Sequence, residues 1–480
     1  MKKVNITLIF LVMVLVANAQ TYHEDDKEGL RLFLAQPSAI EGKTNGEQLG
    51  LTQEDMQSWQ NNEDWVSKVV NLTWNDDSPK RIVGINWTSE YYIRNLAGVL
   101  DTKNWEKLRY LYCANNKLEG FSINSNEILH IQIQENPLSY LNISGCTNLK
   151  YLGCSSNKLT NLDLSEFINL ESLFCLDNYF KNLDLSGCTN LRFVNCSFNN
   201  SLTELNLNGC NNLESLNCSC CYSLTNMDVS GCVKLQILNC NLNSLINLDL
   251  KTNSELSYLY CSENKLTELE LNSNVNLIIL GCNNNHIKLS NLYYISEKIV
   301  SQYGNWLGSQ TLLQQNVTIG EEIDLSEDAV LGGMETVFVV NKNGEKAFID
   351  EDYTIYNGII IFLTEGAYTV TMTNDAIVSH PDYPVKVIAE FLCISSGIFN
   401  DVQEQTLTCY VENGILYIIG LSAGEKWRVY NVAGVLVAEG GRQEAERRRQ
   451  KAEDEDIVVI LPGKGIYIIK TEKRKMKIVI

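Results

Sequence analysis

Sixteen cysteines and four histidines are the residues of this 480-residue chain most able to bind a metal, form a disulfide or act as nucleophiles. Their spacing points elsewhere. Eight cysteines (Cys113, Cys154, Cys175, Cys196, Cys218, Cys240, Cys261, Cys282) recur at one place in a repeating pattern, and four more (Cys146, Cys188, Cys210, Cys232) recur at another. Ile133 fills one place in the first series, and Phe167 fills one in the second. A position that accepts Ile or Phe calls for apolar filling, so the thiols read as small core hydrophobes. Oxidation between neighbouring places is the competing reading, because stacked cysteines can come within disulfide reach. Cys218, Cys220 and Cys221 form the one tight cluster, but no Cys-x-x-Cys pair stands beside a second pair or a histidine, which disfavours zinc. His23, His130, His286 and His380 are scattered. The chain has no H-E-x-x-H, Walker or dinucleotide motif, so neither an enzyme nor a cofactor is expected.

The repeat that carries the cysteines is L-x-x-L-x-C-x-x-N-x-L, as in Leu149, Leu152, Cys154, Asn157 and Leu159. The frame begins at Leu108, Ile128, Leu149, Leu170, Leu191, Leu213, Leu235, Leu256 and Leu277, in steps of 20 to 22 residues. Such a period predicts a solenoid in which each frame supplies one strand with a single buried side. The asparagines (Asn116, Asn136, Asn157, Asn178, Asn199, Asn243, Asn264, Asn285) sit where the chain must turn, and their amides can satisfy the buried turn backbone. Cys221 is the break in this series. About ten residues remain for the return side, enough for an extended or short 3₁₀ segment and too few for a helix with two loops.

Residues beside the buried Leu and Cys of each strand must point outward, and stacking aligns them in columns. One column reads Tyr110, His130, Tyr151, Ser172, Phe193, Ser215, Ile237, Tyr258, Ile279; the next reads Tyr112, Gln132, Gly153, Phe174, Asn195, Asn217, Asn239, Tyr260, Gly281. Aromatic and amide groups exposed together without charge suit an interface or a sugar-stacking surface. Tyr110, Tyr112, Tyr151, Phe174 and Phe193 are the expected anchors at one end, Asn195, Asn217 and Asn239 the hydrogen-bonding groups of the middle, and Tyr258 and Tyr260 the far end. Packing of these rings on one another as cross-strand pairs is the alternative.

Leu149 to Asn169 follows almost throughout the pattern of the bacterial internalin-like leucine-rich-repeat surface proteins, in the version reading LxxLxCSxNxLTxLDLSxCxNL. The resemblance covers about two-fifths of the chain and implies a mainly β fold with a leucine-rich-repeat solenoid over 108–292. For function it implies a binding scaffold.

Elements around the repeat complete the expected plan. Residues 1–19, with two lysines, an apolar run from Ile6 to Val16 and Ala17-Asn18-Ala19, have the layout of a secretory signal peptide. Residues 20–107 read as an N-terminal cap containing a short helix (Leu30, Phe33, Leu34), five tryptophans and a degenerate first strand from Ile82 to Trp87. Over 293–392, short strands joined at Asn343-Gly344 and Asn357-Gly358 suggest a β-sandwich, and this part resembles an immunoglobulin-like module. Residues 393–480 are again strand and turn. Trp427 to Val437, Leu461 to Lys470 and Lys477 to Ile480 resemble the C-terminal sorting domain of type IX secretion cargo, which implies the secretion machinery as a partner and passage to the outer cell surface. The charged run Arg442 to Asp456 is longer than the usual loop there, and the chain ends in Ile480 instead of Lys.

A net charge of -20 excludes nucleic acid as a natural partner. Beyond the N-terminal run no apolar stretch reaches membrane-spanning length. The combined expectation is a secreted or cell-surface protein whose solenoid face binds protein or glycan. A structural spacer without a ligand, or an accessory module of an extracellular enzyme system, are the alternatives.

Overall fold

The computed structural model describes residues 22–88, 95–299 and 304–395, together with seven strand segments between 408 and 479. The segment read as a signal peptide and the charged run Arg442 to Asp456 lie outside the described residues.

Each of the nine sequence frames forms a three-residue strand, from Tyr110–Tyr112 and His130–Gln132 to Tyr258–Tyr260 and Ile279–Gly281. They pair in parallel, in unshifted register, within one 12-stranded sheet. Ile82–Asn86 precedes them, edged by the antiparallel strand Leu72–Trp74. The sheet also runs one strand past the point where the repeat was expected to stop: Asn305–Trp306 pairs with Leu280 and Gly281. Leu307 there takes the place of the cysteine and Gln310 that of the asparagine, so the chemistry of the frame persists although its letters change. The return side is extended. Ala97–Asp101, Lys117–Ser122 and Tyr140–Asn142 pair in parallel, as do Asn182–Asp184 and Glu204–Asn206, and the remaining coils close with turns.

Every coil turns with its backbone buried, and the asparagines meet the hydrogen-bonding demand that this creates. Asn157 is representative: its Oδ1 accepts from the N–H of Leu138 in the preceding coil (3.1 Å), and its Nδ2 donates to the carbonyls of Ile133 (3.2 Å), Cys154 (3.0 Å) and Ser155 (3.0 Å). Gln310 repeats this at the end of the stack, accepting from Asn285 N–H (3.0 Å) and donating to Cys282 O (2.9 Å). At the break, the Cys221 thiol donates to Cys196 O at 3.4 Å. No amide oxygen is left for Leu202, which instead turns back to Asn199 O within its own coil (2.9 Å). One extra residue between Asn199 and Leu202 makes that turn possible.

Strand-position cysteines are fully buried, as are the leucines around them. Return-side cysteines do more than fill space. Cys146, Cys188 and Cys210 direct their thiols at carbonyls of the preceding coil, at 3.5, 3.5 and 3.4 Å. Asn253 and Asn274 take over this place in later coils, donating to Val229 O and Leu250 O at 3.0 and 3.1 Å. The return-side thiols are free and buried, as the apolar-filler reading expects, and in Cys146, Cys188 and Cys210 the thiol also donates weakly to a carbonyl that an amide serves in later coils. Burial pushes the thiols of Cys154, Cys240 and Cys282 up to about 12.

At the N-terminal end, Glu24–Leu34 packs Leu30, Phe33 and Leu34 onto the first coils. Trp65, Trp87 and Trp105 are fully buried there. Asp26, itself fully buried, accepts from Arg81 (3.1 Å) and from Ile82 N–H (2.7 Å), tying the helix to the first parallel strand. Beyond the solenoid, Val337–Lys342, Gly366–Thr373 and Lys386–Ile394 form the centre of one sheet, and Glu322–Asp324, Ile359–Phe362 and Tyr353–Tyr356 form another. Both hairpins turn at the expected Asn-Gly pairs, with Asn343 and Gly344 at φ 52° and 87° and Asn357 and Gly358 at 46° and 79°. Val340, Val370, Met372, Phe362 and Phe391 are buried in this part.

The C-terminal residues form a separate compact unit. Thr408–Glu412, Ile415–Ile419 and Ile457–Ile460 make one antiparallel sheet, and Leu436–Gly441, Lys426–Asn431, Ile466–Thr471 and Lys475–Val479 make a second.

Two consequences are measurable. Asn157→Ala is expected to destabilise the fold by about 1–3 kcal/mol, because three carbonyls and one N–H lose their partner; a urea midpoint equal to wild type would remove the amide ladder as a stabilising element. The ladder thiols have folded pKa values above the ~8.5 of an unfolded cysteine, so the folded state retains protons that the unfolded chain releases. Stability is thus fully present below pH ~8.5 and falls as pH rises toward ~12, by at most about 1.4 kcal/mol per pH unit for each thiol. A variant with Cys154, Cys240 and Cys282 replaced by alanine should lose stability less steeply between pH 9 and 10.5 in the same denaturation series; an unchanged slope would contradict this.

Candidate binding face

Unshifted parallel pairing makes each outward residue of the frame the neighbour of its counterpart. Tyr110 pairs with His130, His130 with Tyr151, Tyr151 with Ser172 and Ser172 with Phe193, and the column continues to Ile279. The second column runs beside it from Tyr112 to Gly281, and the sheet adds Gly84 and Asn86 before the columns and Trp306 after them. None of these positions is Lys, Arg, Asp or Glu.

Rings gather at the two ends of the face. Tyr112, Tyr110, His130, Tyr151 and Phe174 form a continuous run, with successive centroids 6.5, 5.8, 5.8 and 5.5 Å apart. At the far end Tyr260 meets Trp306 at 5.8 Å, and Trp306 stacks on Tyr383 at 5.9 Å. At the first end a glycine makes room, since a Cβ on Gly153 would lie 3.2 Å from the Tyr151 ring; at the far end a Cβ on Gly281 would sit in ordinary contact, 3.6 Å from both Tyr260 and Trp306. The rings therefore do pack on one another as cross-strand pairs. They remain open on their outer side, Tyr110 and Phe193 at 37% exposure and Tyr112, Tyr151, Phe174, Tyr258 and Tyr260 half-buried. Partial burial raises the hydroxyl pKa of Tyr112, Tyr151 and Tyr260, which keeps these groups as protonated donors.

In the middle of the face the amides have less freedom than their residue type suggests. Asn195 Oδ1 accepts from the N–H (3.1 Å) and hydroxyl (2.7 Å) of Ser197, Asn217 Oδ1 from those of Ser219 (3.1 and 2.8 Å), and Asn239 Oδ1 from Asn241 N–H (3.2 Å). Each oxygen closes a local turn. At Asn195 and Asn217 the Nδ2 group is what remains for a partner, and Asn239 keeps its Nδ2 together with one acceptor site, so the middle of the face offers mainly donors.

Arg109 and Arg192 border the columns. The Arg109 guanidinium lies 6.0 Å from the Tyr110 ring centre and Arg192 lies 5.1 Å from that of Phe193, with Arg192 also bound to both oxygens of Glu214. Tyr110, Tyr112, Arg109, Asn86 and Thr73 line a cleft of about 440 Å³ at the N-terminal end. Among the described residues no group of three or more His, Cys, Asp or Glu side chains is placed to hold a metal ion, and no helix is long and apolar enough to cross a membrane.

Two features were not found from the repeat pattern. Trp306 continues the second column, and its signal was Trp306-Leu307-x-x-Gln310 standing where the frame would have x-Cys-x-x-Asn. The other is an apolar edge. In nine successive coils the residue before the ladder position has a left-handed φ of 51° to 60°. Asn, Asp, Glu and Ser hold this place in six coils, whereas Phe198, Cys220 and Leu242 hold it in three consecutive ones. Bulky side chains are costly in this conformation, yet Phe198 is 50% and Leu242 36% exposed, beside Tyr179 and Tyr222 at 58% and 51%.

No protein-family model matches the chain, and no curated protein matches it. Among solved structures, the functional domain of InlJ from Listeria monocytogenes, described as including a cysteine ladder, aligns at 21% identity and TM-score 0.44 over 65% of this chain and 76% of its own. An internalin from the same organism, InlF, aligns at 18% identity and TM-score 0.31 over 61% of this chain and 89% of its own. YopM from Yersinia enterocolitica aligns at 22% identity and TM-score 0.34 over 49% and 54%. The architecture given above rests on the coils of this chain.

Proposed function

We propose that the chain is a non-catalytic binding protein of the secreted or cell-surface kind, and that its solenoid strand face receives a protein partner. The observation that carries this is the absence of charge from both columns of a chain whose net charge is -20, with open aromatic rings at each end and amide donors between them. Nine strands at about 4.8 Å per step extend the face over roughly 40 Å, the scale of an ordinary protein interface. Phe198 and Leu242 on the adjoining edge favour a protein, because exposed aliphatic and aromatic side chains in a costly conformation suit an apolar contact. A glycan is the second reading, favoured by the stacked rings of Tyr110, His130 and Tyr151. A spacer role without a ligand would leave the uncharged columns unexplained.

The same proposal assigns residues 1–19 to export, 20–107 to capping, 108 to about 310 to the repeat, since its sheet runs through Asn305–Trp306, the following residues to 392 to an immunoglobulin-like module and 393–480 to sorting through a type IX machinery. The paired strands around Lys426–Asn431 and Ile466–Thr471 support a folded C-terminal module of that kind.

Capture of a partner by the full chain, followed by titration, tests the face. Alanine at both Phe174 and Phe193 should weaken binding by about 1–4 kcal/mol in total without lowering the melting temperature by more than a few degrees. Unchanged affinity in that variant, with binding abolished by changes beyond Gln310, would place the site elsewhere. For sorting, a chain truncated before Cys409 should cross the inner membrane and stay inside the outer one; its normal display at the cell surface would contradict the assignment.

A further inference from the structure

We propose that the cleft between the last coil and the turn at 380–383 is a saccharide subsite, taking one end of a neutral oligosaccharide. The cleft measures about 450 Å³, within the ~300–1,000 Å³ of small-ligand sites, and Asn283, Ser309, Thr373, Asp382, Tyr383 and Lys386 line it. Its composition is what a pyranose requires: an aromatic face for the C–H side of the ring, and amide, hydroxyl, carboxylate and ammonium groups for the hydroxyls.

Tyr383 supplies the aromatic face. It is 40% exposed and backed by Trp306, stacked at 5.9 Å with a 24° interplanar angle. The polar groups retain bonding capacity. Asn283 Oδ1 accepts from Ser262 Oγ (2.7 Å), which leaves its Nδ2 to donate. Asp382 has 84% of its side chain exposed, with His380 Nδ1 3.7 Å away, so its carboxylate is open to vicinal hydroxyls. A chain of net charge -20 repels polyanionic glycans, which selects neutral sugars.

The walls are held in place before any ligand arrives. Ser379 Oγ donates to Asn305 O (3.0 Å) or to Tyr383 O (2.7 Å) and accepts from Leu307 N–H (3.2 Å). His380 N–H donates to Asn305 O (2.6 Å), and Tyr383 N–H closes the turn on His380 O (2.8 Å). The turn is thereby fixed to the last strand of the solenoid. On the floor, Gly308 has φ +55°, and a Cβ there would lie 2.5 Å from Asn283 Cβ. The bare Gly308 backbone therefore packs directly against Asn283, another residue of the lining. Rigid walls remove the ordering cost that weakens binding by loops.

The test is a titration of the full chain, followed by tryptophan fluorescence and calorimetry, with neutral hexasaccharides of β-1,4-linked glucose, β-1,4-linked N-acetylglucosamine and α-linked mannose. At least one is expected to bind with Kd of about 1 mM or tighter. Tyr383→Ala should weaken it about tenfold and Tyr383→Phe by no more than about twofold, since the ring face is retained. Asp382→Ala, at an exposed position, should also weaken binding while leaving the melting temperature unchanged. No binding across the three sugars, or binding unaffected by Tyr383→Ala and Asp382→Ala, would overturn the proposal. Loss on changing Phe174 and Phe193 instead would move the saccharide to the strand face, so failure of this subsite and failure of the strand-face reading are read from different variants.

Discussion

A solenoid coil must reverse direction with its backbone buried, and the carbonyls at that corner cannot reach water. Each one left unpaired would cost on the order of 1–3 kcal/mol, and the cost recurs in every coil. The buried amide at the corner resolves it for two coils at once, with Oδ1 turned to the preceding coil and Nδ2 to carbonyls of both. Because each amide spans the gap between neighbours, it also sets the register in which they stack. The unshifted pairing of the sheet, and with it the alignment of the outward columns, follows from this shared bond.

Departures from the pattern show how strict the requirement is. Gln310 is one methylene longer than Asn and still reaches Cys282 O, which lets the sheet gain a strand from a segment without Leu or Cys in their usual places. At Cys221 the requirement is met by two lesser means, a thiol donor and a backbone bond within a widened turn. On the return side the same substitution runs in reverse, with thiols in the early coils and amides at Asn253 and Asn274. Cysteine in this chain is therefore a residue that fills apolar volume and can donate weakly to a carbonyl, which Ile or Val cannot do.

A rigid core fixes where the outer residues lie and leaves their identity open to function. Gly153 gives the Tyr151 ring room above the sheet, and rings of adjacent strands meet at both ends of the face, which are thus built jointly by several coils. The far end is completed by a turn at 380–383 that belongs to the following sheets and is held to the solenoid by Ser379.

The repeat period, the strand positions, the asparagine places and the membership of both outward columns were legible in the sequence, because they depend on spacing alone and the spacing recurs nine times. Both Asn-Gly hairpins were legible for a similar reason, since a left-handed turn demands those residues locally. Only the tertiary structure decided the rest. Gln310 and Leu307 are ordinary residues until the preceding coil presents Cys282 O to them. The amide oxygens of Asn195 and Asn217 look available until the turn that follows each strand consumes them. Trp306 and Tyr383 lie far apart in the chain and become one platform through hydrogen bonds to Asn305. Spacing in sequence records which residues share a face; which of their polar groups stay unspent, and which distant rings meet, depends on contacts that exist only once the chain has folded.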